Sequence, residues 1–225
     1  MARSAIRLGE TKGLLLRFGP SGRQALVMPP APGRFMESLL VSTGIVALAE
    51  IGDKTQLLAL LLATRFRAPG PIILGILVAT LANHALAAAV GIAIADWLQS
   101  AALQWALGLS FIAMGLWALK PDRLDPDEAA PRPRYGAFLT TLVTFFLVEI
   151  GDKTQVATMA LAVQFQDLLL VTLGSTLGMM IANVPAVLVG DLAATRLPLK
   201  PIRIAAAAAF IVLGALACLQ AAGMV

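Results

Sequence analysis

The sequence is short of the groups that make a protein soluble or staple it together. Of its 225 residues, 13% are charged and 59% hydrophobic, whereas a soluble domain carries about 25% charged residues. Too few polar side chains remain to cover a water-facing surface, which excludes a water-soluble monomer. The one cysteine, Cys218, excludes an internal disulfide framework and a Cys-based zinc finger. Acidic residues are scarce mainly in one place. Residues 1–35 hold six basic side chains (Arg3, Arg7, Lys12, Arg17, Arg23 and Arg34) against Glu10 alone, while residues 36–225 hold eleven against twelve. The formal charge of +4 therefore belongs to a tail. It does not mark a nucleic-acid partner, and none is expected.

What the sequence does have is long apolar runs. A spanning helix needs roughly 20 mostly apolar residues to cross a hydrocarbon core of ~30 Å. Six stretches meet this, at about 39–63, 71–95, 101–119, 138–163, 168–190 and 202–222. With no strand-length alternation, helices are the only spanning element expected. The reading is an all-α polytopic membrane protein: a basic tail over 1–36, a three-helix unit over 37–119, a hydrophilic Pro-, Asp- and Arg-rich loop over 120–137, and a second three-helix unit over 138–222. The tail has an apolar run of only Leu14-Leu15-Leu16, too short for a signal-peptide core. It reads as an over-extended start before Met36, with an organellar transit peptide as the alternative.

Orientation follows from basic residues in short loops. Arg65, Arg67, Lys120, Arg123, Arg132, Arg134, Arg196, Lys200 and Arg203 fall on one side, and the short loops on the other side hold none. The central loop is thus expected in the cytoplasm and both termini outside. The Arg-, Ala- and Leu-rich composition points to the inner membrane of a bacterium.

The chain repeats itself. Glu50-Ile51-Gly52-Asp53-Lys54-Thr55-Gln56 recurs unchanged as Glu149-Ile150-Gly151-Asp152-Lys153-Thr154-Gln155, an offset of 99. The same offset pairs Gly75 with Gly174, Gly91 with Gly190, Phe111 with Phe210 and Gly115 with Gly214, whereas Asn83 and Asn183 are off by one, implying a single-residue slip. Each unit has an odd number of helices, so the second must enter the membrane from the opposite face. That is the inverted repeat used by many secondary transporters.

The motif sits inside the apolar runs. In a continuous helix, Glu50 and Asp53 at i, i+3 share one face, as do Glu149 and Asp152. Lys54 and Lys153 are turned about 100° from the neighbouring Asp. Each central charge costs about 2.5–3.5 kcal/mol to insert, so these groups must face one another or a water-filled cavity. As ion pairs they would hold the two units together. Four carboxylates against two lysines also leave a formal −2, which matches one divalent cation. An oxygen-rich site suits Mg²⁺, Ca²⁺ or Mn²⁺. Gly52 and Gly151 allow close helix approach or local unwinding. Thr55, Thr154, Gln56 and Gln155 offer neutral oxygens or cap local backbone. Asn83, Asn183 and His84, the single histidine, can reach the site. His84 is a proton shuttle, a metal ligand or a hydrogen-bonded structural residue, with Val184 or Asn183 as its repeat counterpart. Pro185 reads as a kink, and Asp96 and Asp191 as solvated helix ends. Burial disfavours a charged carboxylate and a bound cation favours it, so metal and protons compete for the same oxygens. An antiporter needs that competition.

The doubled motif resembles the signature of the GDT1 (UPF0016) family, two copies of E-φ-G-D-[KR]-[TS], over about residues 37–222. Residues 1–35 lie outside it. The resemblance implies exchange of Mn²⁺ or Ca²⁺ for protons, with manganese export in bacterial members. It makes Glu50, Asp53, Glu149 and Asp152 the cation-binding acids, with no catalytic residue and no bound cofactor beyond the transported ion. Three rivals stand beside it. An exporter of an amino acid or other organic cation could use the acids for an ammonium group, and a membrane scaffold would use the charges only as pairs. An intramembrane aspartyl protease needs Gly-x-Gly-Asp, and here Glu50 takes the first glycine position.

Overall fold

The computed structural model describes residues 16–18, 24–26, 32–97, 101–120, 136–189 and 199–224. The central loop over 121–135, the segment holding Asp191 and the side chain of Asp96 lie outside the described residues. Two units form, Met1–Phe35 and Met36–Val225. The first contains a feature the composition does not announce: strand β1 (Leu16–Phe18) pairs antiparallel with β2 (Gln24–Leu26), Arg17 opposite Ala25.

The described residues of the second unit are helical apart from short connections and breaks, as expected for the apolar runs. The elements are α1 (Pro32–Glu50), α2 (Lys54–Phe66), α3 (Pro69–Trp97), α4 (Ala101–Ala118), α5 (Gly136–Glu149), α6 (Lys153–Phe165), α7 (Leu168–Val189) and α8 (Leu199–Ala221). Pro185 lies inside α7. Among the described residues three helices, over 69–95, 168–188 and 200–221, are long and apolar enough to cross a membrane, and the α1–α2 pair makes a fourth if taken as one span. The helices over 102–118 and 136–149 are apolar but shorter. Large apolar side chains such as Leu40, Leu86, Leu147, Leu169 and Ile204 are exposed on the outer faces. Lipid, not water, is the solvent such a surface requires.

Two of the six runs are not single helices. The expected helix over 39–63 breaks after Glu50 and resumes at Lys54, bent by 72°. The run over 138–163 breaks after Glu149 and resumes at Lys153. The cause is local. Gly52 and Gly151 adopt φ of +81° and +78°, a left-handed conformation that costs a residue with a Cβ ~1–2 kcal/mol and glycine almost nothing.

The repeat is visible in the packing. An ideal Cβ on Gly75 would fall 2.8 Å from Thr141 Cβ and 2.9 Å from the Phe138 carbonyl. One on Gly174 would fall 3.0 Å from Ser42 Cβ and 2.6 Å from the Leu39 carbonyl. All three residue pairs are 99 apart, so α3 seats on α5 as α7 seats on α1. The α4–α8 contact is likewise reciprocal: Gly115 lies against Ala207 and Ile211, Gly214 against Gly108 and Ile112. The repeat-related Phe111 and Phe210 stack on each other with ring centroids 6.4 Å apart.

Candidate functional site

Both motifs act as helix breaks. Glu50 ends α1, and Asp53 is the N-cap of α2 in extended backbone (φ −83°, ψ 168°). Glu149 ends α5, and Asp152 caps α6 in the same way (φ −77°, ψ 164°). The expectation of both carboxylates on one face of a continuous helix is therefore corrected: the acids of each pair belong to different helix segments. Gln56 and Gln155 secure each break. Their side-chain oxygens accept from the backbone N–H of Gly52 at 2.9 Å and Gly151 at 2.7 Å, satisfying donors that a helix start leaves open. Gln56 also donates to the Ala182 carbonyl at 2.9 Å, reaching into the other repeat. Thr55 donates to Asp53 Oδ2 at 3.4 Å, and Thr154 Oγ1 lies 3.4 Å from Asp152 Oδ2.

The two breaks face one another through crossed ion pairs. Lys153 Nζ pairs with Asp53 Oδ1, both buried. Lys54 Nζ stands 3.9 Å from Asp152 Oδ1, with 18% of the lysine side chain exposed. The glutamates have no lysine. Glu50 Oε1 accepts from Asn183 Nδ2 at 3.1 Å. Glu149 Oε1 accepts from Thr154 Oγ1 and lies 3.8 Å from His84 Nε2. Their second oxygens, Glu50 Oε2 and Glu149 Oε2, are buried without a hydrogen-bond partner. Orphaned carboxylate oxygens away from water are costly and call for a proton or a cation. Among the described residues no three His, Cys, Asp or Glu side chains converge to enclose an ion in this conformation.

The neighbouring polar residues sort themselves differently from expectation. Offset 99 relates His84 to Asn183, and both reach the glutamate of the opposite repeat. No single-residue slip is needed. Asn83 is not the equivalent of Asn183: it donates to the Phe146 carbonyl at 3.0 Å, one turn before the second break. Ser175, which holds His84 Nδ1 at 2.9 Å, was not foreseen. Its repeat counterpart is Ile76, so self-similarity could not flag it.

A family model described as "Divalent cation/proton antiporter GDT1" matches residues 38–126 and again 137–225. The chain is 50% identical over 189 residues, 83% of its length and 94% of the other's, to a protein of Vibrio cholerae serotype O1 (strain ATCC 39541 / Classical Ogawa 395 / O395) named "Putative manganese exporter". No solved structure matches it.

Proposed function

Since the chain belongs to the GDT1 family of divalent cation/proton antiporters, we propose that it exports a divalent cation, Mn²⁺ in preference to Ca²⁺, in exchange for protons. The named function of its Vibrio relative supports manganese. The observation that carries the reading is the pair of buried glutamates at facing helix breaks, each with one carboxylate oxygen unpartnered. The lysines are engaged by Asp53 and Asp152, so the formal −2 of the two motifs falls on Glu50 and Glu149. That charge suits one dication or two protons, and exchange between them is antiport. In this reading Glu50, Asp53, Glu149 and Asp152 bind the cation and couple protons, and the protein has no enzymatic role. The ion is cargo and no resident cofactor is involved.

The architecture proposed with it is six spans in two inverted repeats, 37–119 and 138–222, joined by a cytoplasmic loop over 120–137 and preceded by a tail over 1–36. Both termini would lie outside a bacterial inner membrane. Discontinuous helices meeting at a repeat interface are where secondary transporters place their ions, and the breaks at Gly52 and Gly151 are the discontinuities here. Alternating access then rocks one repeat against the other about this crossing. The test is a manganese-sensitive host: Glu50→Gln or Glu149→Gln abolishes the resistance the wild type confers, with unchanged protein in the membrane. Retained resistance overturns the assignment.

A further inference from the structure

We propose that His84 is a nitrogen ligand for the transported ion, acting with Glu149, and that it sets the preference for a transition-metal dication over Ca²⁺. The inference rests on the reading that the ion crosses at the two helix breaks.

Ser175 Oγ lies 2.9 Å from His84 Nδ1 and itself donates to the Thr172 carbonyl at 3.2 Å. When Nδ1 carries the ring hydrogen it donates to this hydroxyl, and the ring's lone pair is then on Nε2. That atom is fully buried, has no hydrogen-bond partner, and faces Glu149 Oε1 across 3.8 Å. Glu149 Oε1 already accepts from Thr154, and Glu149 Oε2 has no partner. In that tautomer two electron-pair donors face each other over a gap too long for a hydrogen bond. A cation bridging nitrogen and carboxylate resolves this arrangement. A ring fixed at Nδ1 by a second polar group, with Nε2 free, is the usual preparation of a metal-ligating histidine.

The other repeat shows what the imidazole adds. At the equivalent place Asn183 turns an amide N–H toward Glu50 and donates to it. One glutamate therefore meets a hydrogen-bond donor and the other an additional ligand. Ca²⁺ and Mg²⁺ take oxygen almost exclusively; imidazole suits the later first-row dications best, and Mn²⁺, the hardest of that series, still accepts a nitrogen where Ca²⁺ does not. The difference between two otherwise identical motifs is a nitrogen that discriminates among dications.

His84 is the only histidine in the chain, so the full-length protein, prepared without a histidine tag, allows an unambiguous test. Electron spin-echo envelope modulation of Mn²⁺ bound to the purified protein is expected to show ¹⁴N coupling, replaced by ¹⁵N coupling when histidine is ¹⁵N-labelled. In proteoliposomes, His84→Asn, which copies the other repeat, is expected to lower the Mn²⁺-over-Ca²⁺ preference by at least about 10-fold, the low end of what losing even an outer-shell partner of a metal ligand costs in affinity. The wild-type spectrum decides the matter even if the variant misfolds. Mn²⁺ bound without nitrogen coupling, or an unchanged cation preference in a folded variant, overturns the role of His84 and leaves the transport reading standing. A wild type that neither binds nor moves Mn²⁺ overturns both.

Discussion

The two halves carry the same seven residues at a helix break, yet they do not treat them alike. Asp53 takes a fully buried lysine from the second half, while Asp152 takes a partly exposed lysine 3.9 Å away from the first. Glu50 accepts from an amide; Glu149 accepts from Thr154 and faces an imidazole. The glycine seats of α3 on α5 and of α7 on α1, by contrast, match residue for residue. Symmetry in the scaffold is what the proposed rocking of one repeat against the other would use. Asymmetry at the carboxylates lets one glutamate be held mainly by a donor while the other is offered an extra ligand. Duplication supplied a frame, and the chemistry was differentiated inside it.

That contrast can be broken in graded steps. The largest effect is expected at Asp53, because Asp53→Asn takes a carboxylate away from the buried Lys153. Removing one partner of a buried pair costs about 3–5 kcal/mol, read as a lowered thermal midpoint in detergent, and Asp53→Lys combined with Lys153→Asp should recover part of it. Next come the glycine seats. Gly75→Leu and Gly174→Leu each force a side chain into backbone, costing about 1–3 kcal/mol. The two should be destabilised equally, and a difference between them would show that the packing symmetry is only apparent. The smallest effect is expected from Lys54→Met, whose pair with Asp152 is longer, at 3.9 Å, and whose lysine is partly exposed. If Lys54→Met proved as damaging as Asp53→Asn, the two ion pairs would be equivalent and the asymmetry would be lost.

Much of this was legible in the residues themselves. Each apolar run is helical because hydropathy is a property of composition that tertiary context does not overturn in a membrane. The acids, lysines, threonines and glutamines of the motif were marked by exact repetition and by the cost of their charges. The breaks were harder to read. A glycine inside an apolar run is compatible with a straight helix, and only the reach of Gln56 back to Gly52 and of Gln155 to Gly151 explains why the bent form wins. The pairing of His84 with Asn183 was hidden by the neighbouring Asn83, whose identity to Asn183 suggested a slip where none exists. Matching side chains is a poor guide when a position keeps its place but changes its chemistry. Ser175 carried no signal at all, since its counterpart is Ile76.

The central claim is that Glu50 and Glu149 trade protons for a dication. Proteoliposomes of the wild type, acidic inside, test it most directly when Mn²⁺, Ca²⁺ and Mg²⁺ uptake is followed with and without the pH gradient. Protons leaving should draw Mn²⁺ in, a protonophore should abolish that uptake, and Glu50→Gln and Glu149→Gln should each lose it. Mn²⁺ entry indifferent to the gradient, or retained in both variants, would contradict the account.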